Sequence, residues 1–188
     1  GRNFEYYSED PFLGGTIGAQ DIAGAQAKGM RAFCKHFVAN DQELHRHGLS
    51  TFANEQALRQ SYLKQFQYVV QRGGTLALME SFNRIGCKWT GGDYALCTEL
   101  LRGEWGFKGS VLTDFNFFAD DSWMNIRSGL AGGTDQWLAL GTSNLLNFAK
   151  QDIALAAEVR QASHRVLYAV AKSAGMNGLS ETEKKEKV

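Results

Sequence analysis

The sequence carries no net charge and no long apolar run, and these absences exclude several classes of protein. Twenty lysines and arginines balance twenty aspartates and glutamates, so no long-range electrostatic field attracts nucleic acid or an anionic membrane surface. A neutral ligand fits this balance. No apolar stretch approaches the roughly 20 residues that span a bilayer. The first residues, GRNFEYYSEDP, are too polar for a signal peptide, so an export signal would lie outside this sequence and a cytoplasmic location is slightly favoured.

Cysteine is also scarce in this sequence. Cys34, Cys87 and Cys97 are odd in number and have no CxxC spacing, which argues against a disulfide framework and against a zinc site. We expect reduced thiols, and nothing in the sequence calls for a metal or another cofactor. The 188 residues, 44% of them hydrophobic, suffice for one domain with a core, or for a piece of a larger domain.

Three apolar runs predict buried strands that turn polar at their carboxyl ends. The runs are AFCKHFVA (32–39), TLALMESFN (75–83) and GSVLTDFN (109–116), and each resembles a strand that is covered on both faces. A weaker fourth candidate lies at 135–140. In a parallel α/β protein the functional site lies at the carboxyl ends of the strands. These ends read KH, ES and TD here.

Helical patterns alternate with the strand-like runs. Residues 55–71 and 93–105 each place a row of apolar side chains on one face. Residues 143–173 read as one or two further helices. Strands that alternate with helices predict an α/β fold with a parallel sheet.

Four βα units without an internal repeat amount to about half of a (β/α)8 TIM barrel. Such a half would leave two sheet edges and one core face uncovered, so we expect either a partner segment or a larger parent protein. The predicted division is barrel at 1–142, helices that pack on the barrel at 143–178 and a charged, disordered tail at 179–188.

The most informative residue for chemistry is Asp114, because the apolar run SVLT delivers its carboxylate to the end of a buried strand beside Phe115. The alternative is that Asp114 caps the following helix. Lys35 and His36 are polar residues inside another strand, and their side chains should point to opposite faces unless the strand twists or bulges.

A polar loop at 40–48, NDQELHRHG, contains two carboxylates and two imidazoles that could bind a metal. The residues are Asp41, Glu43, His45 and His47. A polar network within the loop explains them better, since no helical HExxH spacing is present.

Four motifs together resemble family-three glycoside hydrolases. They are GRNFEYYSEDPFL, KHFVANDQELHR, MESFN and LLRGEWGFKGSVLTDF, in this order, and the resemblance runs from Arg2 to about Leu140. It implies the last four βα units of a (β/α)8 barrel. It also implies an α/β sandwich domain, after or before the barrel, that supplies the acid/base and is not among these residues. The missing first half of the barrel and this domain would be partners in cis or as another chain.

The resemblance also implies roles for individual residues. LTDF places the family's nucleophile at Asp114, and Glu5 is expected to orient the N-terminal loop. Phe115 stands where many members carry Trp, and Phe82 where many carry Tyr, so these two positions affect substrate preference. The residues expected to bind the sugar or line its pocket are Arg2, Lys35, His36, Met79, Phe82 and Phe115.

The resulting expectation is a retaining glycoside hydrolase that cleaves terminal β-D-glucosyl or β-xylosyl residues. KHFVANDQ departs from the KHFPGHGD motif of the β-N-acetylglucosaminidase branch, which disfavours that branch. Asp41, Glu43 and Glu80 lie close to the motifs, but none is a convincing acid/base. The alternatives are a non-catalytic carbohydrate-binding remnant of such a barrel and a metal-dependent hydrolase that uses the loop at 40–48.

Overall fold

The computed structural model describes residues 3–116, 123–139 and 149–174. In chain order, the strands are β1 (Phe33–Phe37), β2 (Ser50–Thr51), β3 (Ala77–Glu80), β4 (Arg84–Ile85), β5 (Lys88–Trp89), β6 (Ser110–Asn116) and β7 (Gln136–Ala139). The α-helices are α1 (Pro11–Ala27), α2 (Glu55–Ala57), α3 (Leu63–Gln71), α4 (Ile126–Gly132) and α5 (Ile153–Ala171). Two π-helical segments, Leu58–Tyr62 and Ala95–Glu104, and a 3₁₀ turn, Thr90–Gly92, complete the regular structure.

A parallel four-stranded sheet in the order β1-β3-β6-β7 forms the centre of the fold. The four strands predicted from apolar runs are thereby confirmed, with shorter bounds. The helix predicted at 55–71 is present as α2, a π-helical segment and α3 in succession, and the one predicted at 93–105 is π-helical. These alternating elements form part of a (β/α)8 barrel, the fold class that the sequence indicates.

The main hydrophobic core lies between the sheet and the helices that follow its strands. Phe37, Leu78 and Val111, one from each of three neighbouring strands or their ends, are fully buried against Phe66 and Leu101. Burying each such side chain stabilises the fold by roughly 1.5–3 kcal/mol. The helix-facing side of the sheet is therefore hydrophobic, and the strands are held in position by this layer.

Helix α1 was not predicted from the sequence, because its residues PFLGGTIGAQDIAGAQA have no amphipathic pattern. It begins at a strong cap, since the Asp10 carboxylate accepts hydrogen bonds from the N–H groups of Phe12 and Leu13. A Cβ at Gly15 would lie 3.0 Å from the Cα of Gln65. Glycine thus allows α1 to pack closely on α3.

The C-terminal helix α5 packs on α4. Leu155 and Ala162 contact Ile126 and Leu130 of α4. The domain boundary predicted at residue 142 and the charged tail predicted at 179–188 lie outside the described residues. Within the described ranges, no helix is long and apolar enough to cross a membrane.

A buried ion cluster fixes the start of β7. The Asp135 carboxylate accepts hydrogen bonds from Arg102 at 2.7 Å, from the Val111 N–H at 2.8 Å and from Arg165 at 3.2 Å. Its location at the amino end of the sheet is typical of a stabilising role in a barrel. The cluster ties α5 and a π-helical segment to two strands.

A second, small sheet lies beyond the carboxyl ends of the main strands. Its order is β2-β4-β5, with β2 and β4 parallel and β4 and β5 antiparallel. The strands are two residues long, too short for an alternation pattern to predict them from the sequence. This sheet holds the segments that follow β1 and β3 beside each other.

Candidate active site

Asp114 lies near the carboxyl end of β6 and meets His36 of β1. The Oδ2 atom of Asp114 is 3.3 Å from Nε2 of His36, and both residues are buried. The Oδ1 atom accepts a hydrogen bond from the N–H of Phe115 at 2.7 Å. No described residue makes a hydrogen bond of good geometry with Oδ2. One oxygen is therefore anchored, and the other stays available beside an imidazole.

Burial raises the pKa of Asp114 above the ordinary value for an aspartate. The Phe115 N–H and the charges of Arg46 and Lys35 lower the pKa, Glu5 raises it, and burial outweighs the lowering effects. Lys35 and Arg46 thus favour the charged form of Asp114. The two cations offset part of the cost of keeping a charge here.

The Tyr6 hydroxyl fixes the other side of the His36 ring. It lies 2.8 Å from Nδ1 of His36 and also accepts a hydrogen bond from the backbone N–H of His36 at 3.3 Å. When the hydroxyl donates its proton to Nδ1, the ring proton lies on Nε2 and faces Asp114.

Lys35 and His36 both approach the site although they are adjacent in sequence. The pairing of β1 with β3 shifts register between Cys34 and Phe37, so the strict alternation of side chains is broken at this point. Lys35 Nζ forms an ion pair with Glu5 at 2.6 Å. The Lys35 side chain is 39% exposed, and its partner Glu5 joins the N-terminal loop to β1, whereas His36 is buried and meets Asp114.

Four rings form an aromatic wall beside the site, made of His47, Phe82, Trp89 and Trp123. The His47 ring stacks on Trp123 at 5.0 Å and lies 4.7 Å from the Phe82 ring. Trp89 meets Trp123 edge-on at 6.4 Å. Edge-on and stacked pairs of this kind are favourable arrangements of aromatic rings. The wall joins the loop after β1, the end of β3 and β5.

The other pocket residues named from the sequence are partly brought together. Met79 pairs in register with Leu112, two residues before Asp114, so it lies on the strand next to the one that carries Asp114. Phe82 is buried in the aromatic wall, whereas Phe115 is 39% exposed. Arg2 lies outside the described residues.

Arg46 is a site residue that sequence reasoning did not single out. Its guanidinium lies over the Phe82 ring, 4.1 Å from the centroid, and forms an ion pair with Glu43 at 2.8 Å. It also lowers the pKa of Asp114. The loop at 40–48 folds back over the end of β3. The only indication of this role in the sequence was the position of Arg46 within the motif KHFVANDQELHR. The face of Phe82 is thus covered by a cation.

A family model described as the glycosyl hydrolase family 3 N terminal domain matches residues 1–168. The chain belongs to glycosyl hydrolase family 3. It is 42% identical over 126 residues to a β-glucosidase from Ruminococcus albus, an alignment that covers 67% of this chain and 13% of the relative. It is 36% identical over 135 residues to thermostable β-glucosidase B from Acetivibrio thermocellus, covering 72% of this chain and 17% of that protein. The chain therefore spans less than a fifth of these relatives.

Solved structures of the family match the fold of all or nearly all of the chain. β-Glucosidase 3B from Thermotoga neapolitana, in complex with glycerol, matches with a TM-score of 0.83 and 27% identity, covering 100% of this chain and 28% of that one. The family 3 β-glucosidase from Bifidobacterium adolescentis matches with a TM-score of 0.82 and 27% identity, over 97% of this chain and 27% of its own. The family resemblance and the partial-barrel fold inferred from the sequence are confirmed.

A retaining glycoside hydrolase needs a second carboxyl group as acid/base. Each described carboxylate near the motifs is bound to another side chain or faces away from Asp114. Glu80 follows Met79 and faces the opposite, helix-covered side, where it is fully buried. Glu43 is paired with Arg46. Asp41 forms a hydrogen bond with the Tyr62 hydroxyl, which raises the pKa of Tyr62.

The loop at 40–48 does not gather ligands for a metal. Among the described residues, no group of three or more His, Cys, Asp and Glu side chains is placed to hold a metal ion. His47 is instead packed in the aromatic wall, and Glu43 binds Arg46. The polar network is thus the interpretation of this loop that the contacts favour.

Proposed function

We propose that this chain is the nucleophile-bearing part of a retaining glycoside hydrolase that cleaves terminal, non-reducing β-D-glucosyl or β-xylosyl residues. The observation that carries the proposal is the Asp114 carboxylate, which faces His36 at 3.3 Å at the carboxyl edge of the parallel sheet. Family membership and the β-glucosidases among the relatives support the same chemistry.

In the proposed reaction, Oδ2 of Asp114 attacks the anomeric carbon while the bond from that carbon to the leaving oxygen breaks. An acid about 5–5.5 Å away gives its proton to the leaving oxygen. The same group then takes a proton from water, whose oxygen displaces Asp114 from the sugar. Both steps invert the anomeric carbon, so the configuration is retained overall.

The surroundings of Asp114 fit a nucleophile. The Phe115 N–H holds Oδ1, so Oδ2 can approach a substrate without rotation of the carboxylate. Lys35 and Arg46 favour the charged form, which is the reactive one. We assign Lys35, His36, Arg46 and, by the family resemblance, Arg2 to the hydroxyl groups of the bound sugar. Met79, Phe82 and Phe115 would border its ring.

The acid/base and the rest of the pocket are assigned to segments beyond this chain. Strands β1 and β7 are the edges of the described sheet. A cavity of about 270 Å³ opens beside β1 and is bordered by Tyr7, Ile22 and Phe33. Both features fit a position within a larger barrel, and the relatives are several times longer than this chain. We therefore propose the first half of the barrel and an α/β sandwich domain as partners.

The sugar specificity is proposed more broadly than the mechanism. Most of the named relatives are β-glucosidases, but one from Bifidobacterium breve, 39% identical over 115 residues, is an exo-α-(1→6)-L-arabinopyranosidase. That alignment covers 61% of this chain and 15% of the relative. A β-glucoside and a β-xyloside are therefore the first substrates to compare.

The test is to trap the covalent intermediate with an activated 2-deoxy-2-fluoro-β-glucoside. We expect the natural full-length polypeptide that contains this chain to gain one sugar in its intact mass, and peptide mapping to place the sugar on Asp114. The variant Asp114→Asn should not be labelled, whereas Asp41→Asn, a change in an exposed loop carboxylate, should label normally.

A different outcome would favour the binding-only alternative. That alternative rests on the lack of an unassigned acid/base among the described residues near the site. Binding of glucose without any adduct or turnover in the full-length polypeptide would support it. An adduct on a residue other than Asp114 would overturn the assignment of the nucleophile.

A further inference from the structure

Glu80, the last residue of β3, is a buried carboxyl group that the proposed reaction does not use. Its side chain is 0% exposed and lies on the helix-covered face of the sheet. Oε1 is 2.6 Å from the Thr134 hydroxyl and 3.8 Å from the Cys97 thiol. Oε2 has no hydrogen-bond partner among the described residues.

The hydrogen atoms around Oε1 can be counted. The Thr134 hydroxyl is also 2.8 Å from the carbonyl oxygen of Gly91, and a carbonyl oxygen can only accept. A hydroxyl has one proton, so Thr134 can donate to Gly91 or to Glu80 but not fully to both. When it donates to Gly91, the 2.6 Å contact needs a proton from Glu80. A carboxylate has no proton to give, whereas a carboxylic acid does.

The Cys97 thiol does not change this count. Its sulfur is 3.2 Å from the carbonyl oxygen of Thr90 and 3.8 Å from Oε1 of Glu80. Its single proton therefore goes to the nearer acceptor, Thr90. Glu80 is left as the donor that completes the network.

The space at Oε2 also disfavours a charge. A Cβ at Gly91 would come within 2.0 Å of Oε2, so this oxygen lies against the glycine with no room for water between them. The ionisable groups that face Glu80 are Cys97, Asp135 and Arg102, and burial is the largest influence, raising the pKa of Glu80 to about 8. An unpartnered oxygen is tolerated far better in a neutral acid than in a carboxylate.

The network holds the segment that carries one side of the site. The carbonyl oxygen of Ser81 accepts hydrogen bonds from the Trp89 indole at 3.1 Å and from the Thr90 hydroxyl at 3.0 Å. The Ser81 hydroxyl bonds the N–H and the carbonyl of Val38, two residues after His36. Glu80 and Ser81 thus connect Trp89 of the aromatic wall to the strand end that carries His36.

We propose that Glu80 is a neutral carboxylic acid that donates a hydrogen bond to Thr134 and thereby acts as a positioning residue for the aromatic wall beside the proposed active site. The Thr134 hydroxyl in turn donates to the carbonyl oxygen of Gly91, which follows Trp89 by two residues. Loss of the Glu80 proton turns a donor into an acceptor opposite Thr134. The Trp89 segment then keeps its bonds to Ser81 but loses the connection to β3 that runs through Thr134 and Glu80.

The direct test is infrared difference spectroscopy on the natural full-length polypeptide with isotope-labelled glutamate. We expect a protonated carboxyl band at neutral pH that disappears with a midpoint near pH 8, together with a change in tryptophan fluorescence. Glu80→Gln should lack both changes, and Glu99→Gln, a change in an exposed glutamate, should keep both. Absence of the protonated band at neutral pH in the unmodified protein would overturn the proposal without any variant.

The positioning role rests on the proposed function and has its own measurement. We expect Glu80→Gln, whose amide can still donate, to keep kcat/KM at neutral pH within about threefold of the unmodified protein. We expect kcat/KM of the unmodified protein to fall above about pH 8, where Glu80 loses its proton, and Glu80→Gln to lack this fall. An unchanged alkaline fall would refute the positioning role. Absence of turnover in every variant would instead refute the proposed function, and the infrared result would stand.

Discussion

The Tyr6 hydroxyl lies 2.8 Å from Nδ1 of His36, and Nε2 of the same ring lies 3.3 Å from Asp114. A residue of the N-terminal loop therefore acts on the carboxylate through the imidazole between them. Replacing Tyr6 by Phe removes the donor to Nδ1 but keeps the ring. We expect kcat/KM to fall about fivefold, because one hydrogen bond contributes roughly 1 kcal/mol.

The matched control for Tyr6→Phe is the neighbouring tyrosine. The Tyr7 hydroxyl bonds the Asp21 carboxylate of α1, not His36. Tyr7→Phe should therefore leave kcat/KM unchanged. Nitrogen NMR of the His36 imidazole should show a smaller fraction of the Nε2-protonated tautomer in Tyr6→Phe and an unchanged fraction in Tyr7→Phe. An equal effect of both changes would show that the loop, and not the hydroxyl, is what matters.

The acid side of the pH profile should respond to Lys35. Burial raises the pKa of Asp114, and Lys35 lowers it. Removing this cation in Lys35→Met should raise the pKa further, so that Asp114 becomes protonated, and unreactive, at a higher pH than in the unmodified protein. We expect the acid limb of kcat/KM to move upward in pH, whereas Lys108→Met, on the exposed surface, should not move it. A downward shift would contradict the proposed electrostatics.

The close contact of α1 with α3 should make two glycines respond in opposite ways to alanine. A Cβ at Gly15 would lie 2.9 Å from the Tyr68 ring and 3.0 Å from the Gln65 Cα, whereas nothing lies within 4 Å of a Cβ at Gly24. Gly15→Ala should lower the free energy of unfolding by about 1–3 kcal/mol. Gly24→Ala should raise it by about 0.5–1 kcal/mol. Urea denaturation measures both, and equal effects would show that the helices do not pack as described.

The Asp135 cluster should be the most sensitive ion pair for stability. Asp135→Asn leaves the side chains of Arg102 and Arg165 without their charged partner in a buried place. Breaking a buried pair on one side costs about 3–5 kcal/mol. Denaturation with guanidinium chloride should show this loss, and Glu99→Gln serves as the control on the surface. A loss of unfolding free energy no larger than that of the control would show that the cluster does not stabilise the fold.

The parts of the fold that could be predicted are those with a strong periodic signal. Buried parallel strands are apolar along their length, so β1, β3 and β6 are visible in the sequence. Helix α1 has no such signal, because its buried face is mostly glycine and alanine, with one isoleucine, and packs closely on Tyr68 and Gln65. The small sheet of two-residue strands depends on contacts distant in sequence and leaves no local pattern.

The central residue of the candidate site, Asp114, could be predicted from the sequence, whereas the residues around it, such as Arg46 and Tyr6, could not. Asp114 stands out because a carboxylate at the end of an apolar strand is rarely there for packing, and the family resemblance points to the same residue. Arg46 and Tyr6 were not separable from other polar loop residues, since their roles depend on how the loops fold back. Glu80 was a candidate acid from its motif, and the strand pleat alone places it on the other face.

Asp114 and His36 come from β6 and β1, which are separated in the sheet by β3. Neighbouring strands are about 4.8 Å apart, so the two side chains meet across an intervening strand because the curvature of the sheet turns them toward each other. The pairing therefore depends on the backbone of three strands as well as on the Tyr6 contact of the N-terminal loop. A change in β3 that flattened the sheet would separate the pair without altering either residue.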